Sequence, residues 1–413
     1  MKAFMKYQNI FFYQKLRQSS GAALLIILAV SAILIPLAQG VWLDSQSYYQ
    51  MRHSFVDRVK ARSNAQAGLD LSLLRLYIFK GAENSLPQKI KSQFISVLDQ
   101  SWLFPFQWPL RPAKDFLKSE ADRIEEINRL SLLKGGYFSW IQAEDGLLDL
   151  NNLSSPIESF RNFTYLSLLQ LLLLQIGEKE ELQEKYNESS LREILDNIAD
   201  EIDLDREAQT RGLERELALN RSFISLEELR KTPGLEEDLY QLLEPYITVY
   251  GSKSLNINYS KGRVLSALGL PPDLVEQILL RTDSQSEFYQ PFSEEEDFCN
   301  FTIDQGYDFC SSLVESYGHL DLLRFDSPIS FRIKSRGHYR SQTVELEALF
   351  YDLSSATLSW QKLMYQEEQR RKEPPPQEPK QGKTESQKEE LKIDYSYYKS
   401  LVILYLKENH LEL

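Results

Sequence analysis

Ser20-Gly21-Ala22-Ala23-Leu24-Leu25-Ile26 opens an apolar run that reaches Leu43 without a charged residue. Ahead of it stand Lys2, Lys6, Lys15 and Arg17, and no acid. As a helix, Ala22–Leu43 would be about 33 Å long, enough to cross a bilayer core. The basic flank lies on the N-terminal side. That polarity keeps residues 1–21 cytoplasmic and sends the chain after Asp44 outward. A secretory signal peptide is the competing reading. It fits less well, because the run is long and Pro36-Leu37-Ala38-Gln39-Gly40 is a mediocre cleavage site.

The helical pattern does not stop at the membrane. From Asp44 to Lys80 there is no Pro, and Gly68 is the only Gly. Met51, Phe55, Val59, Ala65, Leu69, Leu73 and Leu76 recur at spacings of mostly three and four. The spacing predicts one rod over Ala22–Lys80, about 90 Å long, with a possible kink site at Pro36. Its first half anchors and its second half packs on a domain.

An anchoring helix that continues into an amphipathic one is the plan of a type IV pilin or pseudopilin. Gly21 followed by Ala22-Ala23-Leu24-Leu25-Ile26 resembles a prepilin peptidase site, cut after the glycine. Most pilins carry a Glu five residues after the cut, where this chain has Ile26. In that departure it resembles the minor pseudopilin K of the type II (general) secretion pathway. Arg62-Ser63-Asn64-Ala65-Gln66-Ala67-Gly68 is similar to that family's "A-x-A-G" helix segment. Asp145-Gly146-Leu147-Leu148-Asp149-Leu150-Asn151 is similar to its "D-x-x-G-x-x-x-L-N" strand. Asn220-Arg221-Ser222-Phe223-Ile224-Ser225-Leu226-Glu227-Glu228-Leu229, with Pro233-Gly234, is similar to its "N-x-x-F-x-S-x-x-E-L…G" segment. The resemblance spans residues 15–285.

It implies an α+β fold, with a pilin-like long N-terminal helix packed on an antiparallel sheet and a large inserted all-helical (SAM-like) domain. Residues 1–21 would be a leader and 22–43 the transmembrane half of the helix. Residues 44–158 would hold the amphipathic half and the first part of the sheet domain. Residues 159–250 would be the helical insertion, and 251–355 a second helical hairpin and the return to the sheet. Processing would free Ala22, whose amine is then N-methylated. The chain would sit in the inner membrane, single-pass, with its bulk periplasmic. There it would tip a pseudopilus with the minor pseudopilins of the I and J types and the major pseudopilin. A tip minor pilin of a type IV pilus shares the same N-terminal logic.

Composition agrees with a folded chain outside the nucleic-acid class. Apolar residues make up 42% and aromatics 12%, too many for disorder. A net charge of −13 repels phosphate. Leu229–Leu235 has the look of a helix-hairpin-helix, but Glu227, Glu228, Glu236, Glu237 and Asp238 surround it, so it reads as a protein-packing motif. A membrane-anchored DNA binder is the weaker alternative. Cys299 and Cys310 are the only cysteines. In an oxidising periplasm a disulfide between them is expected, two free buried thiols being the alternative.

Further along, Leu86–Leu98 begins a helical pattern and Phe104-Pro105-Phe106-Gln107-Trp108-Pro109 reads as a loop. Tyr137–Ile141 and Leu147–Leu150 read as strands of a hairpin turning at Asp145-Gly146. Phe160–Ile176 is too short and too interrupted for a second span and reads as a core helix. With Ser189 or Ser190 as N-cap, Ser190 with Glu193 reads as a capping box, and Ser225 with Glu228 repeats that logic. Leu255–Asn258 alternates as a short strand, and Arg263–Leu268 with Pro272–Thr282 as a helical pair. Phe331–Lys334 and Thr343–Phe350 read as an antiparallel pair turning near Gly337. Residues 367–390 are rich in Glu, Lys, Gln and Pro and read as a disordered linker. Residues 391–413 regain apolar content, either to fold back on the domain or to dock on a partner.

Catalytic signatures are sparse. His53, His319, His338 and His410 are dispersed, and no HExxH, G-x-S-x-G, Walker A or G-x-G-x-x-G occurs. An enzyme is not expected. Asp200-Glu201-Ile202-Asp203-Leu204-Asp205 with Glu214 stands above the acidic background. On these residues alone a solvated acidic helix end is the plainer reading. The segment resembles the family's "D-W-x-D-P-D…G-A-E" calcium segment, with Glu201 in the Trp position and Leu204 in the Pro position. The resemblance implies calcium at Asp203, Asp205 and Glu214.

Overall fold

A computed structural model describes residues 2–86, 97–111, 118–203, 218–319, 321–372 and 401–411. Helix α1, Lys2–Ser85, is a single 84-residue element with Pro36 inside it. Its buried positions Ala61, Ala65, Leu69, Leu76 and Phe79 lie on one face. That face rests on an antiparallel sheet in the order β1-β2-β7-β8-β9. The strands are β1 (Phe106–Trp108), β2 (Gly136–Ala143), β7 (Ser330–Tyr339), β8 (Gln342–Asp352) and β9 (Leu401–Leu411). Between helix and sheet, Leu69, Leu76 and Phe79 meet Trp102, Ile141, Phe331, Ile333, Ala348 and Phe350 in one core.

The predicted amphipathic face is half right. Ala65, Leu69 and Leu76 are buried, and Leu73 packs at the margin. Met51, Phe55 and Val59 are exposed instead. The β7–β8 turn at Arg340 and Ser341 marks where the sheet ends, with Arg340 Nη1 3.4 Å from Asp57 Oδ2. N-terminal to Asp57, the described residues back to Ala23 are exposed except half-buried Ser31. The expected turn near Gly337 is three to four residues early. Gly337 lies inside β7, where the α1 backbone leaves no room for a Cβ.

Two further turn signals resolved differently. Phe104–Pro109 is not simply a loop, because Phe106–Trp108 forms edge strand β1 against β2. Asp145-Gly146 is no hairpin. Strand β3 (Leu148–Asp149) pairs in parallel with β4 (Ile247–Thr248), away from β2. A Cβ on Gly146 would lie 2.0 Å from the Tyr259 carbonyl oxygen, so this glycine serves a close backbone approach.

Between β2 and β7 the chain builds two related modules. After α2 (Lys118–Leu130) and β2, the first runs from β3 to β4 through α3 (Glu158–Ile176), α4 (Glu180–Lys185), α5 (Glu188–Ile202) and α6 (Glu237–Leu243). The second runs from β5 (Leu255–Asn256) to its parallel partner β6 (Leu323–Arg324). It carries α7 (Gly262–Ala267), α8 (Pro272–Thr282), α9 (Glu295–Asp304) and α10 (Phe309–Tyr317). Each opens on a strand and a 3-10 turn, with one asparagine clamping the module shut. Asn151 Nδ2 donates to the Phe223 and Val249 carbonyls, and its Oδ1 accepts from the Phe223 N–H. Asn258 does the same with Phe292 and Phe325. One apolar core runs through both modules and includes α3, as expected of Phe160–Ile176. Cys299 and Cys310 are bonded, tying α9 to α10.

Both predicted capping boxes are displaced. Helix α5 starts earlier, with Asn187 as its cap and Ser190 as the reciprocal partner. Leu226–Lys231 is a 3-10 helix whose Ser225 side chain makes no cap bond, while Glu228 accepts from the Ile224 N–H. Helix α11 (Leu353–Lys372) extends past the predicted linker onset at 367. Residues 373–400, and the predicted helical pattern over 87–96, lie outside the described residues. Of the two readings of the tail, folding back holds, since β9 adds to β8 as the fifth strand.

Candidate functional site

Residues 23–56 of α1 stand clear of the folded part, all exposed except half-buried Ser31. At 1.5 Å per residue this is about 50 Å of bare helix. Within it lies the apolar window, with a mean hydropathy of 2.5 over 18 residues, none of it buried. This is the one helix among the described residues long and apolar enough to cross a membrane. Gly21 and Ala22 lie within α1, in its continuous helical backbone. Beyond the apolar window, Tyr48, Tyr49, Met51, Phe55 and Val56 keep large side chains exposed.

At the other end of the sheet sit the modules. The chain leaves β2 at Ala143, returns at Ser330, and packs there beside Phe79 and Lys80 of α1. The insertion therefore occupies the end of the domain remote from the anchor. Its joint with α1 is polar and buried. Asp99 accepts from Tyr259 Oη at 2.9 Å, Tyr289 Oη at 3.0 Å and Trp102 Nε1 at 3.2 Å. Lys80 Nζ lies 3.1 Å from Glu83 and 3.3 Å from Asp352. No motif signalled this cluster, because its members come from five separate stretches.

Burial pushes the Asp99 carboxyl up to about 6, with a smaller push from Glu83; the three hydrogen bonds oppose it. The folded state thus holds this proton more tightly than the unfolded chain. Its stabilising contribution is complete below about pH 4 and is lost as pH rises through about 6, at most about 3 kcal/mol in all. Asp99→Asn is expected to flatten the thermal-midpoint profile between pH 4 and 7. An unchanged slope in urea or thermal melts would refute the assignment.

The acidic stretch ends α5. Asp200 and Glu201 are buried, and Asp203 is the half-buried C-cap. The other expected ligands, Asp205 and Glu214, lie outside the described residues. Among the described residues no group of three or more His, Cys, Asp or Glu is placed to hold a metal.

The hairpin over Leu229–Leu235 is the 3-10 helix, a left-handed Gly234 and then α6. Three cations in or beside it are committed to acids. Arg230 pairs with Glu227 and Glu237, Lys185 with Glu236 and Asp238, and Arg221 with Glu228.

The family model described as type II secretion system (T2SS), protein K, matches residues 146–252. That stretch of the chain is similar to the first domain of protein K. The matched stretch is the first module with its closing asparagine clamp, so the resemblance read from the sequence is borne out there. The motif residues of the matched stretch act in packing: Asn151 and Phe223, from two separate motifs, are each other's hydrogen-bond partners. The chain is also similar to a chain in the crystal structure of the GspK-GspI-GspJ complex from the enterotoxigenic Escherichia coli type 2 secretion system. That likeness has 17% identity and a TM-score of 0.39, and covers 75% of this chain and 94% of that one. No curated protein matches the chain.

Proposed function

We propose that this protein is a minor pseudopilin at the tip of a type II secretion pseudopilus. It helps initiate assembly and the export of folded proteins across the outer membrane, acting as a structural subunit and not as an enzyme. One observation carries the reading: the stretch similar to protein K is mounted on the end of the sheet remote from a bare apolar helix. A subunit so built can pack its helix among others while its insertion obstructs a further subunit above. Ile26 supports this. A subunit with no neighbour above needs no carboxylate to offset that neighbour's N-terminal amine. The partners are other pseudopilins, those of the I and J types and the major one, along residues 23–56. The anchor lies in the inner membrane and the bulk of the chain in the periplasm.

In this reading prepilin peptidase cuts after Gly21 and the Ala22 amine is methylated. Mass spectrometry of protein expressed with and without the peptidase is expected to give an N-methylated Ala22 only with it. An intact Met1 in both, or a cut near Gly40, would remove the assembly mechanism.

Calcium belongs to the same proposal. Asp203, Asp205 and Glu214 are hard oxygen donors following a helix whose negative end already carries Asp200 and Glu201. A bound divalent cation would offset that concentration of charge. The double variant Asp203→Asn, Asp205→Asn is expected to melt at lower temperature than the parent only when calcium is present. Equal melting in calcium would end the idea.

A further inference from the structure

Strand β1 covers only part of the β2 edge. Its pairing stops at Phe106↔Ser139, and Pro105 has no N–H with which to continue it. Upstream, the chain is drawn to α1, where Arg75 donates to the Ser101, Trp102 and Phe104 carbonyls. On β2, the Glu144 N–H donates to the Ser330 carbonyl at the start of β7. Successive residues of an antiparallel ladder face alternate sides, so Ile141 and Ala143 turn their N–H and C=O groups away from β7. None of these four groups has a hydrogen-bond partner among the described residues. Ile141 and Ala143 are each 5% exposed and line a cavity of about 610 Å³. A backbone group in such a recess gains more from a partner than one in open solvent.

We propose that this free stretch of the β2 edge is a docking site for an extended segment of a partner protein, one with alternating apolar residues and a lysine or arginine. The main chain of the segment would pair with Ile141 and Ala143, continuing the line that β1 leaves at Phe106, as in recognition by strand addition. Its apolar side chains would meet Leu279 and Leu280 of α8, which line the same cavity. Leu280 is 47% exposed, an apolar surface such a segment would cover. The cation is called for by the charges at the site. Glu276 and Asp283 line it, both exposed and in no ion pair among the described residues. Lys261 lines it too, but its Nζ is already engaged, donating to the Pro245 carbonyl at 2.6 Å. The site lies on the flank of the sheet, so it is open to a partner whether or not α1 packs among other helices.

The test uses the full chain in detergent and blocked fluorescent peptides of about eight residues, an ordinary strand length, with valine at alternate positions and one central lysine. Anisotropy is expected to show saturable binding. Exchanging the lysine for glutamate should weaken it about fivefold. N-methylation of every second backbone nitrogen should weaken it about tenfold for one of the two alternate sets, the set facing β2. Glu276→Lys with Asp283→Lys, two changes on exposed side chains, should reverse the preference between the lysine and glutamate peptides. Hydrogen exchange read by fragmentation mass spectrometry locates the contact. The Ile141 and Ala143 amides should exchange faster than that of Gln142 in the free chain and become protected by the peptide. If they are already as protected as Gln142, the edge is covered by this chain itself, or by a second copy where protection rises with concentration. Either result overturns the proposal. So does the absence of saturable binding, or binding that leaves both amides unchanged or ignores N-methylation and the charge reversal.

Discussion

Asp145→Ala is expected to destabilise the folded region by about 3–5 kcal/mol, the cost typical of breaking a buried ion pair from one side. Asp145 is 1% exposed. Its carboxylate accepts from the backbone N–H groups of Ile329 and Ser330 and, at 2.6 Å, from the Ser330 hydroxyl. Arg324 Nη1 lies 3.7 Å away, itself buried. Burial pushes the carboxyl upward, and Arg324 with these hydrogen bonds opposes that push. Alanine would leave two backbone donors, a hydroxyl and one side of a guanidinium without this acceptor. The location magnifies the effect. Asp145 follows the end of β2, Ser330 begins β7, and the Asp145 carbonyl accepts from Asn256 at the start of the second module. One residue therefore fastens the exit from the sheet, the return to it and the insertion. Asp145→Asn keeps an acceptor oxygen and is expected to cost clearly less. Urea denaturation of the three proteins measures this. An alanine variant within about 0.5 kcal/mol of the parent, as for a neutral surface change, would refute it.

The same residue shows where sequence reading stopped. Asp145-Gly146 between apolar stretches carries the local signature of a hairpin, yet the partner of Asp145 lies 184 positions away. Local chemistry predicts local turns. It cannot see that a long insertion begins at that point, nor that the glycine is there to admit the Tyr259 backbone. The elements that were legible are those whose signal is repeated over many residues. The long helix, the Phe331–Phe350 strand pair and the buried leucine-rich helix each declared themselves by periodicity. So did the anchor, by length and absence of charge. Single-residue signals moved by a few positions. Asn187 outcompeted Ser190 as the cap because the helix began one turn sooner, and the β7–β8 turn fell at Arg340 and not at Gly337.

The joint around Asp99 was wholly illegible. Its residues become neighbours only when the modules dock on α1, and none stands in a recognisable pattern. The family motifs, by contrast, were legible without a reason attached. The structure supplies one for the "A-x-A-G" segment. Ala65, Gly68 and Ser72, like Ala61 one turn earlier, are small residues of α1 that lie over the sheet. Ser335 Oγ donates to the Ala65 carbonyl at 2.7 Å, and Ser72 Oγ lies 3.1 Å from Ser139 Oγ. A Cβ on Gly68 would meet Ser335 Oγ at 2.4 Å. The motif is the footprint of a helix lying directly on strands.

Gly337→Ala tests that contact from the strand side, and a loss of about 3 kcal/mol is expected, the upper end of ordinary overpacking. A Cβ there would stand 2.2 Å from the Ala61 carbonyl oxygen, 2.2 Å from the Ala65 nitrogen and 2.8 Å from the Ala65 Cα. All three are backbone atoms of α1, so no rotamer change can relieve the clash. Either the helix lifts or the strand bends, and the core of Leu69, Leu76, Phe79 and Phe331 opens with it. Intrinsic preference points the other way, since glycine weakens a strand interior. The sign of the result therefore separates packing from propensity. Gly81→Ala gives the matching control on α1, where nothing lies within 4 Å of the new Cβ. Relief of helical glycine should there stabilise by about 0.5–1 kcal/mol. Thermal and urea melts of both variants decide the matter. Similar behaviour of the two would mean that α1 does not lie on β7 as closely as described. A large loss confined to Gly337→Ala would mark this crossing as the point where the anchor helix is mechanically coupled to the domain it carries.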